Sequence, residues 1–137
     1  MQRILLPILF SVGTPAVAGE IQLTLHGTGI EGKNLFVAVH SSADEFPTRD
    51  THALKSIVVA RSDTVGHLIK NVPAGKYAVA VFADLNGNGE LDSNFVGIPK
   101  EPVGISRNAQ GKFGPPKFSD AVFAVGDGVT ALAIELK

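Results

Sequence analysis

The sequence predicts an all-β fold, an antiparallel Greek-key β-sandwich of about seven strands. Three observations point to it. Short runs of β-branched, aromatic and aliphatic residues recur along the chain. Glycine, proline, asparagine and aspartate punctuate them at regular spacing. No segment carries a sustained helical period. At 137 residues the chain holds one ordinary domain. With no cysteine it has no disulfide to offset a small core, so apolar burial must hold the fold, with a metal as the one available aid.

The first element is a targeting segment. Met1-Gln2-Arg3 is a short positive start, Ile4 to Phe10 is apolar apart from Pro7, and Ala16-Val17-Ala18 has the small-residue pattern of a signal-peptidase site. A signal peptide over 1–18 and a single domain over 19–137 follow as expectations, with export to the periplasm or the outside. The apolar run is too short for a membrane span, and no cysteine follows to carry a lipid anchor. The net charge of −1 becomes −2 without Arg3, the one charged side chain in 1–18. That balance argues against nucleic-acid and anionic-membrane partners, which need a basic face. One tyrosine and no tryptophan leave few rings for sugar or base stacking.

The strands follow in order. Residues 21–26 (IQLTLH) alternate apolar and polar, as a half-buried strand does. Residues 35–40 (LFVAVH) are apolar on both faces and suit a central strand. Between them and the next strand, 43–54 has some helical character, which Pro47 limits to a turn or two. Residues 56–60 and 65–69 are short strands around a polar turn. Asn71-Val72-Pro73-Ala74-Gly75 is a turn, with Pro73 fixing φ and Gly75 free in it. Residues 76–83 (KYAVAVFA) form the longest β-branched and aromatic run. Residues 121–125 and 130–136 close the chain as a hairpin around Gly126-Asp127-Gly128. The Val72-Pro-x-Gly-x-Tyr77-x-Val79 hairpin resembles that of prealbumin-like sandwich modules. The likeness implies a prealbumin- or immunoglobulin-like sandwich and says little about function.

Residues 94–120 lack strand periodicity yet carry Phe95, Val96, Ile98, Val103, Ile105, Phe113 and Phe118. That is too apolar for a solvated linker. An ordered Gly/Pro/Phe-rich excursion is expected, with its aromatics plugged into the core. Asp84, Asn86-Gly87-Asn88-Gly89, Leu91-Asp92, Asn94-Phe95, Gly97 to Glu101, Asn108-Ala109, Phe113 to Pro116, Phe118 and Asp120-Ala121 together are similar to the bacterial domain-of-unknown-function family numbered 2141. That resemblance spans essentially the whole chain after the leader. It implies an exported β-sandwich and brings no catalytic residues.

The one stretch with the look of a chemical site is Asp84 to Asp92, D-x-N-x-N-G-x-x-D. Oxygen-bearing side chains at alternate positions are how short loops offer a hard cation its ligands. The candidate Ca²⁺ ligands are Asp84, Asn86, Asn88, the Glu90 carbonyl and Asp92. The twelfth position is Phe95 rather than a bidentate glutamate. A dissociation constant on the order of 10⁻⁴ to 10⁻³ M is therefore expected, unless Asp120 or Asp127 completes the shell. A metal-free turn explains the same residues, since Asn-Gly is also a hairpin signal.

Enzyme signatures are missing. His26, His40, His52 and His67 have no zinc spacing and read as surface or strand-end residues, His26 and His67 on polar strand faces. No nucleophile elbow or phosphate loop occurs. Lys100, Glu101 and Arg107 read as turn and surface charge. The expected function is a non-enzymatic exported module that binds an unknown envelope protein or ligand. The alternative is an enzyme or small-molecule carrier with its site under the 94–120 excursion.

Overall fold

A computed structural model of the chain describes residues 18–137. The predicted signal segment thus lies outside the described residues, apart from Ala18. The structure is mostly β, with two sheets. The first contains β1 (Ala18–Gly27), β4 (Thr64–Pro73) and β8 (Val129–Leu136), in the order β4-β1-β8. The second contains β2 (Asn34–His40), β3 (Leu54–Val59), β5 (Gly75–Asp84) and β6 (Val103–Ile105), in the order β3-β2-β5-β6. A short β7 (Phe123–Val125) pairs with the opening residues of β5.

Alternation sets the inner faces. Ile21, Leu23 and Leu25 of β1, Leu35, Val37 and Val39 of β2, Tyr77, Val79, Val81 and Ala83 of β5, and Ile134 and Leu136 of β8 form one buried cluster between the sheets. Burying each large aliphatic side chain contributes roughly 1.5–3 kcal/mol. Strand β5 is apolar on its other face too. Ala78 and Ala80 pack there with Phe46, Ile105, Ala121 and Phe118 in a second cluster. One step further along, Phe36 and Phe82 lie opposite each other in register and stack at 4.9 Å.

Two contacts close the sides. Val103 and Lys137 exchange backbone hydrogen bonds, each 3.0 Å, which ties β6 to the end of β8. Across the opposite side Ser56 Oγ of β3 and His67 Nε2 of β4 lie 2.8 Å apart.

The structure corrects several expectations. Eight strands stand among the described residues rather than about seven, because three-residue β6 is too short to show a period. The pairing is not antiparallel throughout, since β1 and β8 run parallel over Glu20–Gly27 and Val129–Leu136. The predicted strand over 121–125 begins instead as a helical turn, α1 (Phe118–Ala121), before β7.

The excursion is ordered, but two of its three aromatics do not plug the core. Phe118 packs in the second cluster, whereas Phe95 and Phe113 are fully exposed. Polar side chains pin the excursion instead. Buried Ser106 Oγ donates to Ala121 O at 2.6 Å and accepts from Val79 N at 2.9 Å. Asn108 Oδ1 accepts from Glu135 N at 3.0 Å.

The turn before β5 is locked by its tyrosine, whose hydroxyl donates to Pro73 O at 2.6 Å. Tyr77→Phe should lower the unfolding free energy by about 1 kcal/mol, because it strands a carbonyl at a tight turn. Urea titration reads it, and an unchanged midpoint would remove the turn from the list of stabilising contacts.

Candidate functional site

Strand β5 ends at Asp84, and alternation turns Asp84 outward while Ala83 faces the core. The loop that follows folds over this carboxylate, leaving Asp84 3% exposed. Asp84 Oδ1 accepts from Gly87 N at 3.1 Å and Oδ2 from Gly89 N at 2.8 Å. Both glycines have left-handed φ, 74° and 78°, which bends the chain around the carboxylate.

The asparagines close local turns. Asn86 Oδ1 accepts from Asn88 N at 3.2 Å, and Asn88 Oδ1 from Glu90 N at 3.0 Å. Their amide nitrogens both donate to Asp92, Asn88 Nδ2 at 2.8 and 3.1 Å to its two oxygens and Asn86 Nδ2 to one of them. So Asn86, Asn88 and Asp92 converge directly. Asp84 joins them through the glycine amides, and Glu90 contributes its backbone nitrogen while its side chain stays exposed.

Glu101 is the residue that sequence reasoning misread. It is 6% exposed, not a surface charge. Its Oε2 accepts from Leu85 N at 2.6 Å and its Oε1 from Asp92 N at 3.0 Å. One carboxylate thus clamps both ends of the loop. Glu101 comes from the segment that returns toward β6, not from the loop itself. The available signal was Pro102 after it, which forces an extended return toward β6. Asp120 and Asp127, the other candidates for completing a shell, sit in α1 and in the β7–β8 turn, near the start of β5. The loop leaves its end, and the two ends of a ten-residue strand are roughly 30 Å apart.

The donor set fits a hard cation only after rearrangement. It is all oxygen, but among the described residues no group of three His, Cys, Asp or Glu side chains is gathered to hold a metal. A cation would need Asn and main-chain oxygens beside the carboxylates. It would also have to displace the two side-chain amide groups that already donate to Asp92.

Beyond the loop, a small hairpin stands on the clamp. Lys100 N donates to Asp92 O at 2.8 Å, and Ser93 and Pro99 form a bridge. Asn94 Oδ1 accepts from Val96 N and Ile98 N, each at 3.0 Å. The tip holds Phe95, Val96 and Ile98 out in solvent.

The histidines do not form a site among the described residues, but two differ from expectation. His67 faces inward beside Val65 and Ile69, with burial lowering its pKa below 6.5. His40 is buried, edge-on to Phe46 at 5.4 Å, with neither ring nitrogen hydrogen-bonded. Burial lowers its pKa too, opposed by Asp50 and Glu45. The position at a strand end hid this, because residues 43–52 fold back over it. His52 donates to Glu45 from ring and backbone, at 2.6 and 3.0 Å, and these bonds hold the Glu45 carboxyl below its ordinary range.

Two shallow hollows occur among the described residues. One of about 180 Å³ is lined by residues including Val103, Asn108 and Glu135, and one of about 250 Å³ by residues including Lys33 and Asp84. Both fall below the usual ligand-pocket range of roughly 300–1,000 Å³. Neither is bordered by His40, Lys100 or Arg107. No helix among the described residues is long and apolar enough to cross a membrane.

A family model described as "Uncharacterized protein conserved in bacteria (DUF2141)" matches residues 26–133. No curated protein and no solved structure matches the chain.

Glu101→Ala should cost roughly 2–3 kcal/mol, since two amides lose a charged acceptor. The same change should speed hydrogen exchange at the Leu85 and Asp92 amides specifically. Exchange that stays slow at both would dismiss the clamp. His40 and His67 set a pH dependence of known sign. Their folded pKa values lie below 6.5, so the unfolded chain takes up protons first as pH falls. Their contribution is full above about pH 7 and is lost as pH falls below about 6.5. Urea midpoints should drop across that window, and less steeply in His40→Leu. Equal slopes in the two proteins would exclude His40 as a source.

Proposed function

The chain belongs to the DUF2141 family, and on that premise we propose that it is an exported, non-enzymatic module that presents a fixed apolar tip to an envelope partner or ligand. The observation that carries this is the hairpin tip at Phe95, Val96 and Ile98, exposed yet held by hydrogen bonds at its base. Exposed apolar side chains on an ordered support are a feature of interaction sites. The leader-like residues 1–18 support export. Two sheets around one core, with a tyrosine-locked turn before β5, support a Greek-key sandwich of prealbumin type. The rival enzyme reading gains little, because Phe95 and Phe113 turn away from the molecule and the hollows are shallow.

We also propose that the loop takes Ca²⁺ weakly. Asp84, Asp92 and Glu101 each hold part of this loop without being gathered into one three-acid group among the described residues, and every acceptor among them is met by a neutral N–H donor. Oxygens so arranged keep further lone pairs for a cation. The cation's role is structural, taking the place of the Asn86 and Asn88 amide groups at Asp92 and so fixing the loop at the base of the hairpin.

Thermal melts with and without calcium test both parts. If calcium binds only the folded chain, a concentration a hundred times its dissociation constant adds about 2.7 kcal/mol. Asp92→Ala should abolish that shift. Phe95→Ser should leave both the melt and the calcium response unchanged, since the ring touches solvent. No shift at millimolar calcium, or an equal shift in Asp92→Ala, would sink the cation reading.

A further inference from the structure

The loop contains two Asn-Gly bonds, Asn86-Gly87 and Asn88-Gly89. Such bonds are chemically fragile. Asparagine is thermolabile, and glycine has no side chain to keep its own nitrogen away from the preceding amide carbon. In deamidation that nitrogen gives up its proton and forms a bond to asparagine Cγ. The side-chain amide nitrogen leaves as ammonia. The cyclic imide then takes up water and opens to aspartate or isoaspartate. Both asparagines are exposed here, so burial gives them no protection.

The control lies on the attacking nitrogens. Gly87 N and Gly89 N both donate to the one buried carboxylate of Asp84. A charge-assisted hydrogen bond of this kind favours the protonated amide, whereas attack needs the proton removed. It also keeps each nitrogen turned toward Asp84. The electrophilic ends are held as well, since each asparagine Oδ1 accepts from a backbone amide two residues on.

We propose that Asp84 is a chemical guard that suppresses imide formation at both Asn86-Gly87 and Asn88-Gly89, and that these two bonds are the chain's modification sites once the guard is released. The two positions are coupled. Converting Asn88 to aspartate would replace its donation to Asp92, at 2.8 and 3.1 Å, with two facing carboxylates. The loop would then open and free the second bond. This needs no cation and stands apart from the calcium reading.

The test incubates the full chain in mildly alkaline buffer with a chelator and follows amide loss at each asparagine by peptide-mapping mass spectrometry. Folded wild type should keep Asn86 and Asn88 while the denaturant-unfolded chain loses them on the order of tenfold faster or more, equivalent to about 1.4 kcal/mol. Asp84→Asn, folded by circular dichroism, should accelerate both positions by a similar factor. Asp92→Asn weakens the hold on the asparagine side chains, since one acceptor oxygen remains, but leaves the glycine amides held, and should change the rates far less. Hydrogen exchange in wild type should be slow at Gly87 and Gly89, which decides the matter if Asp84→Asn does not fold. Equal loss in folded and unfolded wild type, fast exchange at the two glycines, or equal acceleration by Asp92→Asn would each overturn the proposal.

Discussion

Strand β5 must be covered on both faces, and most of the architecture answers that requirement. Its odd-numbered residues Tyr77, Val79, Val81 and Ala83 face the inter-sheet core, which β1 and β8 complete. Its even-numbered residues Ala78 and Ala80 would otherwise meet water. The 94–120 excursion brings Ile105 and Phe118 to them, and Ala121 and Phe46 complete the cluster. Alanine at the even positions is what lets bulky side chains lie close against the sheet. A long connection with little regular structure is therefore part of the core rather than an ornament on it.

The covering segment is fastened by polar groups, and buried carboxylates are the most demanding of these. An isolated buried charge is expensive. Asp84 and Glu101 meet the cost without a salt bridge, each taking two backbone N–H groups. The two acids act on different parts of one loop. Asp84 shapes its interior, and Glu101 draws its ends together. The hairpin that carries Phe95 inherits its position from them.

Much of the sheet framework is legible in the residues. KYAVAVFA, the longest β-branched and aromatic run, announces a strand, LFVAVH a central strand apolar on both faces, and Ile21 to His26 a half-buried one. The turn at Pro73 and Gly75 is equally plain. What resists reading is whatever depends on distant pairing. Val103 to Ile105 carries too few residues for a period, and the parallel partnership of β1 with β8 leaves no local mark. Phe95 and Phe113 look like core because hydropathy is blind to which way a loop turns. In the loop, the alternating oxygens are visible along the chain, but the role of Glu101 exists only once the excursion has folded back. His40 is hidden for the same reason, since a non-local segment lays Phe46 against it.

The parallel pairing has a consequence in time rather than space. Strand β1 lies between β4 and β8, and its register with β8 joins residues about 110 positions apart along the chain. Closing so long a loop carries an entropic cost that only the finished sheet offsets. The three-stranded sheet therefore cannot assemble from the leading part of the chain alone. Until β8 is free to dock, β1 keeps one unpaired edge.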